Sequence, residues 1–277
     1  MDTLQFLLRR AAWWEAFLRL EDLVEGATPD AEALAAGLGA MAVRGGVLWT
    51  SEVAHEQLGL CWQLAAILAR AEEAPRVWVA RGPSGGRSRS VGLLQPEEIA
   101  SVVPRLLSPA EIERAVDLWR AWSEPTPERF ADRARALRGD PLVGGLWSLL
   151  GRFPSARDGL TVWERRLLAR LAEKADEPTA WTVGSVMVEG LDDAPDRVDG
   201  LILFAHMQEL ARHGLLEQVG GGTMSKTNFT VSDLGHRALR GQVHRLDVAR
   251  LDRWVGGTHL TETSAVWVVD GDELRRR

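Results

Sequence analysis

Tyrosine is missing from the 277 residues altogether, and cysteine occurs once. A single thiol, Cys61, excludes an internal disulfide framework and fits a reducing compartment. It lies in the apolar run 58–69, which predicts an inert buried side chain rather than a nucleophile. That run includes Gln63 and is too short to cross a bilayer. Arg9 and Arg10 are not followed by an apolar core with a small-residue cleavage site, so no secretory signal is read. The expectation is therefore a cytoplasmic protein without membrane contact. An excess of positive charge is also missing, with 33 Lys and Arg against 39 Asp and Glu. A formal net charge of −6 argues against a surface coated in phosphate-binding residues, though it leaves room for a local basic patch.

Against these absences stand twelve tryptophans, 45% hydrophobic and 26% charged residues, a globular composition long enough for two ordinary domains. Most of the indoles are expected in cores, while Trp13 with Trp14 and Trp119 with Trp122 can line a pocket or an interface.

Residues 158–241 carry the clearest pattern: three helices, then a two-stranded ribbon. Thr161 and Glu164 form a Thr-x-x-Glu capping box, and Val162, Trp163, Leu167, Leu168 and Leu171 supply an apolar stripe behind it. Thr182 is expected to cap a second helix, with Trp181 and Val186 as its hydrophobic staple. A third starts near Asp199, buries Leu203, Phe204, Met207 and Leu210, and stops at Gly214. Strands at 215–219 and 228–231 flank the loop glycines Gly220, Gly221 and Gly222, and Ser232 opens a last short helix. This is the layout of a winged helix-turn-helix.

Upstream, Val47 to Thr50 and Val77 to Val79 read as buried strands joined by a helix over 52–71, which implies a parallel crossover. A weaker strand is expected at 91–94. Pro96 and Pro109 suit first helical positions behind Gln95 and Ser108, and a helical stretch is expected at 142–150. Arg152 to Ser155 resembles a linker. After the ribbon, residues 265–269 have strand propensity and are expected to pair near Thr258 to Leu260 or to join the first sheet. Arg275 to Arg277 are expected to fray. The resulting division is an α/β domain at 1–95, a helical connector at 96–154, a winged-helix-like domain at 155–245 and a closing signature with an added hairpin at 246–277. The fold class is thus α/β plus α+β.

Two clusters can carry chemistry. Glu52, His55 and Glu56 share a helical face beyond the end of a strand, where open α/β sheets take ligands; they could hold a metal or run acid–base chemistry. A solvated helix start, with acids favoured by the dipole, explains the same residues. Asp252, Arg253 and His259 form the second, with a Gly-Gly turn returning His259 towards Arg253. Its plain alternative is a structural corner: Arg253 paired with Asp252, Trp254 buried, and the glycines at positive φ. The glycine-rich loop 81–90 lacks Gly-Lys-Ser/Thr and is no phosphate cradle. No cofactor can be named from these residues.

Asp252-Arg253-Trp254-Val255-Gly256-Gly257-Thr258-His259-Leu260, followed by Trp267 and Asp270, resembles the closing signature of an uncharacterised bacterial family, domain of unknown function eighteen thirty-five. Residues 20–29, 47–58 and 153–165 are similar to further pieces of that family in order. The family's opening strand and Gly-Asp-Ser turn are not matched at Met1-Asp2-Thr3. The resemblance implies a fold and no activity.

Residues 158–245 hold ten Lys or Arg against thirteen Asp or Glu, a net −3. Arg165, Arg166, Arg170 and Lys226 could make a modest nucleic-acid patch, but a groove reader needs more cations than this. The expectation is a non-catalytic binding or regulatory protein, acting on a protein partner through the winged module, with an α/β domain suited to sensing a small ligand. The alternative is an enzyme with an acid/base or metal site at the domain interface.

Overall fold

The computed structural model describes residues 31–82, 90–173, 196, 200–221, 224–248, 250–261 and 266–277. The capped helix expected around Thr182, the tip of the glycine-rich loop and Trp13–Trp14 lie outside them. The fold is mixed α and β, with small sheets, and the chain divides into two compact units. One holds residues 1–52 and 56–119; the other holds 53–55 and 120–277.

In the first unit, α1 (Ala31–Arg44) ends where Gly45 adopts a φ of 73°. A side chain there would meet the carbonyl oxygen of Arg76 at 2.2 Å, so the turn into the sheet admits glycine alone. Strand β1 (Gly46–Thr50) runs parallel to β2 (Val77–Arg81) in the register Leu48 to Val79, and α2 (Ala54–Leu68) connects them. That is the expected crossover. Cys61 is buried in α2 together with Leu60, Leu64 and Ile67. The third strand is not where the sequence pointed. Val91–Leu93 forms a 3-10 turn capped by Ser90, and the strand is β3 (Arg105–Leu106), antiparallel to β2. Helices α3 (Pro96–Ser101) and α4 (Pro109–Trp122) do start at their prolines. Gln95 and Ser108 cap them, each exchanging hydrogen bonds with a glutamate three residues on, Glu98 and Glu111.

The second unit continues with α5 (Glu128–Ala136), then a 3-10 helix, Gly144–Arg152, where an ordinary helix was expected. Asp140 explains its start: the carboxylate accepts from the amides of Leu142 and Val143 and tightens the turn. Residues expected as a linker are bonded in place, for Ser155 bridges to Val269, whose amide donates to Pro154. Helix α6 (Val162–Glu173) carries the capping box as read, the Thr161 and Glu164 amides meeting each other's side chains at 2.8 and 3.2 Å. Helix α7 (Gly200–Arg212) buries Leu203, Phe204, Met207 and Leu210 against α6. Gly214, at φ 74°, ends it and leads into an antiparallel pair, β4 (Leu216–Gly220) and β5 (Thr227–Val231). The Ser232 hydroxyl accepts from the Gly235 amide and opens α8 (Asp233–Leu239).

A short α9 (Arg245–Val248) precedes two hairpins. Strand β6 (Arg253–Val255) pairs with β7 (Thr258–Leu260), and β8 (Trp267–Asp270) pairs with β9 (Glu273–Arg276). The expectation that the 265–269 strand pairs with Thr258 to Leu260 is corrected here. Arg275 and Arg276 are part of a strand rather than a tail. Of the described tryptophans, Trp122, Trp163 and Trp267 are buried, while Trp49 and Trp254 are exposed. No helix among the described residues is long and apolar enough to cross a membrane.

Candidate functional site

At the carboxyl end of β1 the acids expected to form a site are already engaged. Glu52 pairs with Arg81 at 3.0 Å. Glu56 accepts from the Ser90 hydroxyl and, at 2.8 Å, from the Val91 amide. His55 is exposed on the first turn of α2. These contacts tie Arg81, Ser90 and Val91 to the helix start. The Thr50 hydroxyl is fully buried and meets no hydrogen-bond partner among the described residues. Among the described residues no group of three or more His, Cys, Asp or Glu side chains is placed to hold a metal ion.

The second cluster separates. Asp252 and His259 stay together, His259 Nε2 lying 2.7 Å from the Asp252 carboxylate. His259 also stacks on Trp254, ring centroids 4.3 Å apart and planes within 2°. All this is at the surface, with Trp254 66% exposed rather than buried. Arg253 turns the other way. One of its terminal nitrogens donates to Glu164 at 2.8 Å and to Glu209 at 2.7 Å. The structural corner expected between Arg253 and Asp252 is therefore replaced by a longer-range one.

Glu164, Glu209, Arg245 and Arg253 make a buried, charge-balanced quartet. Arg245 is fully buried, with Nε 3.3 Å from Glu164 and a terminal nitrogen 3.1 Å from Glu209. Glu164 serves two ends at once, since one oxygen caps α6 and the other takes both guanidiniums. Burial favours its neutral form, but the charges of Arg253 and Arg245 and the Thr161 amide outweigh that and hold its pKa near about 2. For Arg245, burial prevails and lowers the pKa; for Arg253, burial works the same way but Glu164 and Glu209 overcome it and raise it. Both guanidiniums remain charged at any working pH. On the same helix His206 is held neutral down to about 4 by burial and by the nearby Arg253 charge.

The quartet determines what α7 can touch. Glu209 is held by the arginines of α9 and β6, and His206, one turn earlier on the same helix, lies within reach of the Arg253 charge. Along residues 202–211 no side chain is exposed. The candidate nucleic-acid cations are also occupied or scattered. Arg165 pairs with the buried carboxylate of Asp158, and Arg170 pairs with Glu173 at 3.0 Å. Arg166 lies over the Trp163 ring at 5.7 Å, and Lys226 sits exposed at the ribbon tip, in the 3-10 turn Met224–Lys226.

A hollow of about 330 Å³ opens elsewhere in this unit, lined by Trp147, Leu150, Val162, Trp163 and Arg166, with the β8–β9 turn at its edge. Nothing in the spacing of Trp147 and Trp163 announces it. The usable signal was the Gly271-Asp272 pair directly after a strand-like run, a two-residue turn that builds that edge.

Comparison with protein-family models, with curated proteins and with solved structures gives no match.

Proposed function

We propose that the protein is a non-catalytic binding or regulatory protein, whose residues 158–241 form a winged-helix-like module that contacts another protein. The order helix, helix α7, ribbon β4–β5 and helix α8 supports the module. The absence of exposed side chains along residues 202–211 of α7 carries the choice of partner. A helix that reads DNA must lay one face in the major groove, and this one has no face to spare. Its one acid, Glu209, is paired with Arg245 and Arg253, and its one arginine, Arg212, makes no cationic stripe for phosphate. The ribbon tip and the exposed Trp254–His259 stack remain as contact surfaces.

The enzymatic alternative would join Glu52, His55 and Glu56 to Arg253 and His259. Arg253 is already committed to two carboxylates, and Glu52 and Glu56 to Arg81 and Ser90. No observation favours that reading.

Fluorescence anisotropy with a labelled random duplex at about 50 and 200 mM salt tests the choice. The expected result is no saturable binding at the lower salt. Micromolar binding that weakens steeply with salt would overturn it.

A further inference from the structure

We propose that the hollow between the 3-10 helix Gly144–Arg152, the start of α6 and the β8–β9 hairpin binds a flat aromatic compound carrying one carboxylate or phosphate. Its volume of about 330 Å³ falls within the range of small-molecule sites. Two indoles line it, Trp147 and Trp163, and each has an arginine over its ring: Arg138 at 5.2 Å and Arg166 at 5.7 Å. Leu150 and Val162 complete an apolar wall. Gly151 stands beside them, and a side chain there would come within 2.7 Å of a Val162 methyl. The half-buried Trp147 ring can accept an aromatic ring against it, the nearly buried Trp163 forms part of the floor, and the guanidiniums over both indoles bring positive charge to the same wall.

The charge of the site follows from who is already paired. Asp196 lines the hollow, but Arg152 grips its carboxylate with two hydrogen bonds of 2.7 and 2.8 Å. The Trp163 indole N–H adds a third at 3.3 Å. That acid is 5% exposed and neutralised where it stands. Arg166 meets no carboxylate at ion-pair distance among the described residues. Arg138 has Asp272, 3.7 Å away, with both side chains more than half exposed. Asp272 and Glu273 belong to the exposed rim, where water and salt screen them. The uncompensated charge inside the hollow is therefore the positive one on Arg166, and a carboxylate or phosphate is its natural partner. No residue of α7 lines this site, so it stands whether or not the helical module contacts a protein.

Nuclear magnetic resonance of the indole N–H groups in the full chain reads this site directly, with Trp147 and Trp163 assigned from Trp→Phe variants. Indole-3-carboxylate, adenosine monophosphate, neutral indole-3-carboxamide and inorganic phosphate serve as probes. The carboxylate or the nucleotide should shift the Trp147 and Trp163 signals saturably, and the stronger of the two names the acidic group. The neutral amide should bind ~10-fold more weakly, as loss of one charge-assisted contact implies. Arg166→Gln should bring the anionic probes down to the level of the amide while leaving the other indole signals in place. Trp147→Leu should weaken the amide and the anions alike. Equal binding of amide and carboxylate, indifference to Arg166→Gln, shifts from inorganic phosphate as strong as those from the aromatic probes, or no shift with any probe would each overturn the proposal.

Discussion

Gly256 lies so close to Trp122 that a side chain on it would meet the Trp122 carbonyl oxygen at 2.3 Å and the indole at 2.8 Å. Its φ of 61° also belongs to the left-handed region. Gly257 donates its amide to that same carbonyl at 2.8 Å, and a side chain there would strike the Ser123 carbonyl at 2.2 Å. The Gly-Gly of the closing signature is thus the contact that seats the β6–β7 hairpin on the end of α4. Gly256→Ala and Gly257→Ala should each destabilise by at least about 2 kcal/mol, because rigid backbone must move to admit a methyl group. Gly221→Ala, with open space around it, should be nearly neutral. Urea melts followed by tryptophan fluorescence check all three.

Arg253 tells a similar story through charge. Its removal leaves Glu164 buried with one guanidinium instead of two, and Glu209 loses its shorter contact. Arg253→Met should cost about 3 kcal/mol, the lower end of the penalty for breaking a buried ion pair, because Arg245 still faces both acids. Adding Glu209→Gln to that variant should recover part of the loss, since it removes a charge left with only the longer of its two arginine contacts. Additive effects in the double-mutant cycle would show that the two side chains are not coupled.

Why some of this could be read from the chain and some could not is a matter of range. Capping at Thr161, Gln95, Ser108 and Ser232, and the burial of Leu203, Phe204, Met207 and Leu210, depend on neighbours within one or two helical turns. The β4–β5 ribbon follows from local strand propensity and a glycine turn. By contrast, Arg253 reaches acids 44 and 89 residues away, and no periodicity encodes such a pairing. Trp254 read as core because indoles usually are; His259, directly opposite in the hairpin register, gives it a stacking partner outside the core. Strand propensity at 265–269 was real, but its mate was hidden in charged residues, Glu273 to Arg276, whose composition resembles a solvated tail. The candidate site at Glu52 and Glu56 was legible as a cluster. Its engagement by Arg81 and Ser90, 29 and 34 residues on, was not.

The ribbon offers a direct probe of the proposed protein contact. The chain has two lysines, Lys174 and Lys226, and the second is exposed at the ribbon tip. An amine-reactive crosslinker should therefore join a bound partner through Lys226, and Lys226→Arg should abolish that crosslink in peptide mass spectra. A partner held by the chain without any Lys226 crosslink would move the contact away from the ribbon.

Stability should fall in two steps as the solution is acidified. His206 is held neutral down to about 4, below its usual 6.5, by burial with Arg253 nearby. The unfolded chain takes up a proton that the folded chain refuses, so this contribution is complete above pH 6.5 and drains away towards pH 4. It amounts to about 3 kcal/mol. Glu164 acts lower: burial opposes its charge, but the arginines hold its pKa near about 2 against an ordinary 4.5. Its contribution is present above about pH 4.5 and is lost as pH falls towards 2, again by about 3 kcal/mol. His213 and His244, lowered by partial burial, add a smaller loss in the upper range. Urea midpoints measured from pH 7 to pH 3 should trace both limbs. His206→Gln should flatten most of the upper limb and leave the lower one intact, whereas Glu164→Gln should flatten the lower limb on a protein already weakened at neutral pH. An unchanged slope between pH 6.5 and 4 in His206→Gln would mean that Arg253 and the surrounding burial do not keep this imidazole neutral.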